Sequence, residues 1–245
     1  MLIRKERCVG CGRCQPYCPV GAIHFEELKS VVDQEVCYEC GTCLRSEICP
    51  VDAVEESPYV YDYPRALRKF FSDPNATHAL TGIAGRGTEE SKSNDVINRV
   101  VPGEVGIAIE FGRPTLGMDL KNIQKVTRAM AKAGFTKIEP ENPFNDMIQN
   151  YETGDLKQEL MGEKVLSAIM EFKAKPDRLG LALRTIKEAA KEVDSVFVVD
   201  VYTRLEPGLT VPKEIIETIE AEGYTRRPNA KINMGLGRAN KRKDL

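Results

Sequence analysis

Eight cysteines are the only residues in this chain whose type and spacing announce a chemistry. All lie between Cys8 and Cys49, and none follows Cys49. They form a repeat. The first copy, CVGCGRCQPYCPVGAI, holds Cys8, Cys11, Cys14 and Cys18 before Pro19; the second, CYECGTCLRSEICPVDAV, holds Cys37, Cys40, Cys43 and Cys49 before Pro50. The first three cysteines recur at an offset of 29 residues and the CPV endings at an offset of 31. A duplicated pattern of this kind is the sequence form of a pseudo-twofold unit.

Three thiolates two residues apart can wrap a tight loop around one face of a metal–sulfur cluster. Gly10, Gly12 and Gly41 let the backbone bend into positive φ, so that N–H groups can point at sulfur and tune a potential. The fourth cysteine of each copy precedes a proline, which holds it extended and projects its thiolate away from its own triplet. A secreted disulfide scaffold would also use an even cysteine count. A long chain with triplet spacing argues instead for metal in a reducing compartment. Zinc is the weaker metal reading, because zinc sites use paired C-x2-C units, often with histidine. A purely structural role for clusters is the other alternative.

These motifs make residues 3–57 similar to the bacterial, clostridial-type 2[4Fe-4S] ferredoxins. The resemblance implies two [4Fe-4S] clusters, one held by Cys8, Cys11, Cys14 and Cys49, the other by Cys37, Cys40, Cys43 and Cys18. It also implies a hairpin over AIHFEELKSVVDQEV, low-potential electron transfer and an anaerobic setting. One departure stands out. Three residues separate the last two cysteines of the first motif, and five (Leu44 to Ile48) those of the second, which points to altered solvent exposure beside the second centre.

Beyond residue 57 the patterns are those of an α/β unit, making the expected class α+β. Residues 58–102 read as a connector. Tyr59, Tyr61 and Tyr63 suggest an extended run, PRALRKFFSD a short helix, and TGIAGRGT (81–88) a glycine-rich loop. That loop lacks the Walker lysine. Its backbone amides suit a small anionic ligand, with a plain flexible or docking loop as the alternative, and His78 beside it is a weak candidate proton donor.

Over 103–223, EVGIAIEFG alternates, DLKNIQKVTRAMAKAG has helical spacing, and FTKIEPEN reads as a strand. KVLSAIMEFKA, PDRLGLALRTIKEAAKEV and SVFVVDVYTRL repeat that order. The expectation is a ferredoxin-like βαββαβ sandwich of four antiparallel strands and two helices, with a weak likeness to ACT-type regulatory domains. GRPTLG (112–117) is a βα turn that a small ligand could use. A last helix is expected over 212–222, ahead of a basic tail (224–245) with seven basic residues against one acidic.

No run of about 18 apolar residues is present, and the N-terminal apolar run is too short for a secretory signal, so a cytoplasmic location is expected. The tail has almost no aromatic interleaving, which disfavours nucleic acid. The leading function is a non-catalytic electron carrier or subunit docking a protein redox partner, both donor and acceptor reductase. A ligand-sensing regulator and a substrate-binding reductase are the alternatives, so enzyme status stays open.

Overall fold

The computed structural model describes residues 1–77, 82, 99–113, 116–140 and 142–226. The TGIAGRGT loop (apart from Gly82), His78 and nearly all of the basic tail lie outside the described residues.

The N-terminal part is built from very short elements. Strand β1 (Leu2–Ile3) pairs antiparallel with β4 (Val54–Glu55), bringing the two ends of the repeat together. The expected hairpin is β2 (Ile23–Glu26) against β3 (Lys29–Val32). Its two-residue turn places Glu27 and Leu28 at φ 48° and 64°, the geometry that matches strand twist but is normally given to Asn-Gly. Helix α1 (Thr42–Arg45) lies within the second cysteine motif.

The tyrosine run is a series of turns rather than an extended segment: Val60 is buried while Tyr59, Tyr61 and Tyr63 stay exposed. Helix α2 (Ala66–Ser72) follows, two residues later than the proline-led start suggested. It buries Arg68 and Lys69 as well as Leu67 and Phe71.

The rest is organised on strand β5 (Val105–Phe111), every residue of which is buried. Strand β10 (Ala168–Ala174) and strand β11 (Phe197–Thr203) flank it, both antiparallel, giving the order β10-β5-β11. Four strands were expected; among the described residues three form the sheet. FTKIEPEN contributes only an isolated antiparallel bridge, Ile138 to Phe172. Pro140 and Pro143 lack the N–H that a continued ladder needs, and Asn142 instead caps a 3-10 turn at Pro143–Met147. KVLSAIMEFKA likewise divides: β9 (Lys164–Val165) leaves the main sheet to pair with β6 (Met118–Asp119), and β10 begins only at Ala168. A small hairpin, β7 (Ile148–Asn150) with β8 (Asp155–Leu156), fills the segment between. β11 is half-buried along its length.

Helix α3 (Leu120–Lys132) begins where the Asp119 carboxylate accepts the Asn122 N–H at 2.7 Å, a standard N-cap. Its Ile123, Val126 and Met130 are wholly buried. Helix α4 (Pro176–Ala190) presents Leu179, Leu183 and Ile186 to the same core. Helix α5 (Lys213–Ala221) packs on α4 through the buried Ile215. One sheet face, with Ile107, Ile109 and Phe111, meets this layer; Phe111 stacks on Phe144 at 5.8 Å between centroids. The opposite face is polar although buried. Glu110 there meets Arg113 Nη1 at 3.1 Å, and Glu171 accepts from Arg99 Nη1 at 3.3 Å and Asn142 Nδ2 at 3.2 Å.

Helix α2 and Tyr38 join the cysteine-bearing part to the sheet. The Leu166 N–H donates to Ser72 Oγ at 2.9 Å and the Ser167 N–H to the Phe71 carbonyl at 3.0 Å. Gly117, at φ 72°, lies so close to the Tyr38 ring that a Cβ would sit 2.4 Å from it. Gly117→Ala combines that clash with an unfavourable backbone conformation. It is expected to cost about 1–3 kcal/mol, read as a lowered thermal midpoint.

Candidate metal centres at the two cysteine loops

The eight cysteines fall into two groups. One cavity, with ≈ 300 Å³ of non-atom space partly open to solvent, is lined by Cys8, Cys11, Cys14 and Cys49. A second, ≈ 290 Å³, is lined by Cys37, Cys40, Cys43 and Cys18. Each thus takes three cysteines from one copy of the repeat and the fourth from the other. Among the described residues, no three His, Cys, Asp or Glu side chains converge on a point that would hold a single metal ion. The thiols ring a space instead. His24 stands exposed on β2, away from this role.

The backbone repeats as faithfully as the cysteines do. Gly10 and Gly12 have φ 70° and 69°; their counterparts Glu39 and Gly41 have 56° and 70°. Gly21 and its counterpart Asp52 have 68° and 49°. Glu39 and Asp52 therefore adopt a glycine-like conformation, which sequence reasoning missed; only their position in the repeat could have flagged them. At Gly10 no other residue fits, since a Cβ would lie 2.2 Å from the Leu28 carbonyl oxygen. The left-handed turns aim N–H groups at sulfur. Gly10 and Ser30 donate to Cys8 Sγ, both at 3.4 Å, and Glu39 donates to Cys37 Sγ at 3.4 Å. Ala22 donates to Cys18 Sγ at 3.1 Å, and Ala53 to Cys49 Sγ at 3.2 Å.

The two loops differ in their surroundings. Cys11 is exposed, whereas Cys37, Cys40 and Cys43 are all buried. The longer second motif explains part of this. The three residues of the first motif form one 3-10 turn, Gln15–Tyr17, while the second motif winds into α1. Arg45, at the end of α1, donates to the Cys40 carbonyl at 2.8 Å and pairs with Asp73 beyond α2 at 2.6 Å. The added length therefore docks the loop onto α2. Arg68 of α2 donates to the Cys37 carbonyl at 2.8 Å and pairs with Glu163. The first loop has a simpler counterpart, Lys29 donating to the Cys8 carbonyl.

Burial pushes the Cys14 and Cys37 thiols above their usual range, with neighbouring thiols adding for Cys14 and Glu39 adding for Cys37. Burial, then Cys40, Cys37 and Cys18, pushes Cys43 up to about 12. A bound metal is the partner that holds such thiols as thiolates. These observations fit an iron–sulfur cluster: an all-thiol donor set and N–H groups aimed at sulfur.

Other candidate positions gain no such support. In GRPTLG, Pro114 and Thr115 lie outside the described residues. Arg113 donates to Ser167 Oγ at 2.8 Å as well as to Glu110, so it belongs to the polar sheet face.

Residues 1–24 match the family model of the 4Fe-4S binding domain. Over 72 residues the chain is 35% identical to a 7Fe ferredoxin of Hydrogenibacillus schlegelii, covering 27% of this chain and 90% of that one. It is 46% identical over 48 residues to one component of an ion-translocating oxidoreductase complex of Methanosarcina acetivorans, covering 20% of this chain and only 17% of that component. It is 37% identical over 54 residues to the pyruvate synthase component PorD of Methanothermobacter marburgensis, covering 22% of this chain and 60% of PorD. The cysteine loops and these relatives define the N-terminal part as an iron–sulfur unit of the 4Fe-4S ferredoxin type. Through its N-terminal part the chain belongs to the 4Fe-4S ferredoxin family, and no family match covers the C-terminal part.

Glu39, between Cys37 and Cys40, is fully buried and bonded to Arg65 and the Met1 amine. Burial alone would raise its pKa, but the Met1 amine and Arg65 outweigh that and lower it. A lowered folded pKa contributes stability that is complete above the ordinary carboxylate range and lost as pH falls from there through the lowered, folded-state value. Glu39→Gln should therefore cost about 3–5 kcal/mol near neutrality, and lose less stability than the parent as pH falls below the ordinary carboxylate range, as measured by urea unfolding at stepped pH.

Proposed function

We propose that this protein relays single, low-potential electrons through two [4Fe-4S] clusters to a protein redox partner. When bound, such a cluster takes up and releases one electron without making or breaking a covalent bond. Cys8, Cys11, Cys14 and Cys49 would hold the first, and Cys37, Cys40, Cys43 and Cys18 the second. The observation that carries the reading is the sorting of all eight thiols into two cavities of four, each completed by a cysteine of the other repeat. This chain's residues supply the rest: main-chain N–H groups that favour charge on sulfur, and a packed surround that limits water on the second site.

In this reading residues 1–57 are the cluster-binding domain, 58–102 the connector and 103–223 the docking domain. The docking domain is a trimmed βαββαβ unit. The Ile138–Phe172 bridge stands where the second strand of that topology would lie, beside β10 and across it from β5. Eight free cysteines suit a reducing, cytoplasmic compartment, and the resemblance to clostridial-type ferredoxins suggests an anaerobic host. Among the described residues no helix is long and apolar enough to cross a membrane. The relatives that are components of redox complexes support a protein partner rather than a small-molecule substrate.

Anaerobically purified protein should contain about eight irons per chain, with two interacting paramagnetic signals on reduction. Cys18→Ala should lower iron to about four and remove the signal of the centre at Cys37, Cys40 and Cys43. Loss of the signal from the centre at Cys8, Cys11 and Cys14 instead would refute the crossed assignment.

A further inference from the structure

The two cysteine loops each receive a cation at the carbonyl of their first cysteine, but the two cations differ in kind. Lys29, at Cys8, is half-exposed, so water and salt screen its charge. Arg68, at Cys37, is 3% exposed. Its Nη1 donates to the Cys37 carbonyl at 2.8 Å and to the Gln34 carbonyl at 3.0 Å. Its Nη2 donates to the Gly162 carbonyl at 3.3 Å, and its Nε pairs with the Glu163 carboxylate. Glu163, itself almost buried, lies just before β9, on the side of the sheet domain. The result is a buried dipole. Its positive end faces the loop that bears Cys37, Cys40 and Cys43, and its negative end is fixed in the other half of the molecule.

We propose that the Arg68–Glu163 pair sets the reduction potential of the second centre, making Arg68 a positioning and charge-compensating residue through which the sheet domain tunes electron transfer. The inference rests on the two-cluster reading above. One-electron reduction adds a single negative charge among Cys18, Cys37, Cys40 and Cys43, with no bond formed or broken and no proton required. A buried guanidinium lowers the free energy of that added charge, because interactions in a low-dielectric interior are screened little. Glu163 opposes it from farther away. The two groups must therefore act on the potential with opposite signs, which a merely structural ion pair would not do. By linkage, reduction also strengthens the hold of the loop on Arg68, so the junction between the two halves responds to redox state.

The test is a dithionite-poised titration of the full-length holoprotein, followed by paramagnetic resonance, with Cys18→Ala identifying the signal of the second centre. Arg68→Gln should move that midpoint negative and Glu163→Gln should move it positive. Each shift should be at least tenfold in the reduced-to-oxidised ratio at fixed potential, ~59 mV for one electron, and the other signal should stay in place. Should Arg68→Gln not fold, Glu163→Gln carries the test alone. About eight irons with an unmoved second midpoint, or with both variants shifting it the same way, would overturn this inference by itself. About four irons in the unaltered protein would overturn the two-cluster reading and this inference together.

Discussion

The cysteine-bearing part depends on one constraint: each loop must close around a space that its own copy of the repeat cannot complete. Cys49 crosses to the first loop and Cys18 to the second. Little else could hold this part together. Its core consists of Met1, Ile3, Ala22, Ile23, Ala53 and Val54 with four of the cysteines, and contains no aromatic ring. Strands of two to four residues bury too little apolar surface to offset the entropy of ordering so many turns. In such small domains metal binding is itself folding free energy. The left-handed residues of the loops, glycine or not, are the conformational cost of aiming N–H groups inward.

The larger part follows the opposite logic. A fully buried strand, two amphipathic helices and two pairs of packed phenylalanines make an ordinary apolar core. Its unusual feature is the second face of the sheet, where Glu110 and Glu171 are buried among arginines and an asparagine. Buried ion pairs contribute little net stability, because desolvation offsets much of their attraction. They do resist alternative packings, since any shift leaves a charge unpaired. The same holds at the junction, where Arg45, Arg65, Arg68 and Lys69 meet Asp73, Glu39, Glu163 and Glu56. Polar contacts of this kind fix orientation more than they add affinity, which suits a helix that holds the second cysteine loop in one place.

Much of the candidate site was legible before any coordinates. Cysteine spacing, the Cys-Pro endings and the loop glycines are local features, and local sequence encodes them directly. Glu39 and Asp52 were not legible, because acidic residues carry no signal for positive φ; the repeat imposes it on them. In the sheet domain the helices and the central strand followed from periodicity. The expected strand over FTKIEPEN failed because Pro140 and Pro143 remove donors that alternation does not register. KVLSAIMEFKA divided because β9 found a partner outside the main sheet.

By itself the sequence determined which cysteines share a loop, that the unit is duplicated, and where the longer helices lie, because each depends on neighbours within a few positions. Only the tertiary structure decided what lies against the second loop. The five-residue spacing of the second motif reads as a simple insertion until α1 is seen carrying Arg45 to Asp73. Arg68 reads as one more charge on an amphipathic helix until it is found between the Cys37 carbonyl and Glu163. Those partners are about 30 and 95 residues away along the chain. No local pattern encodes contacts at that separation; they arise when the helix is buried on both sides and its charges must be satisfied.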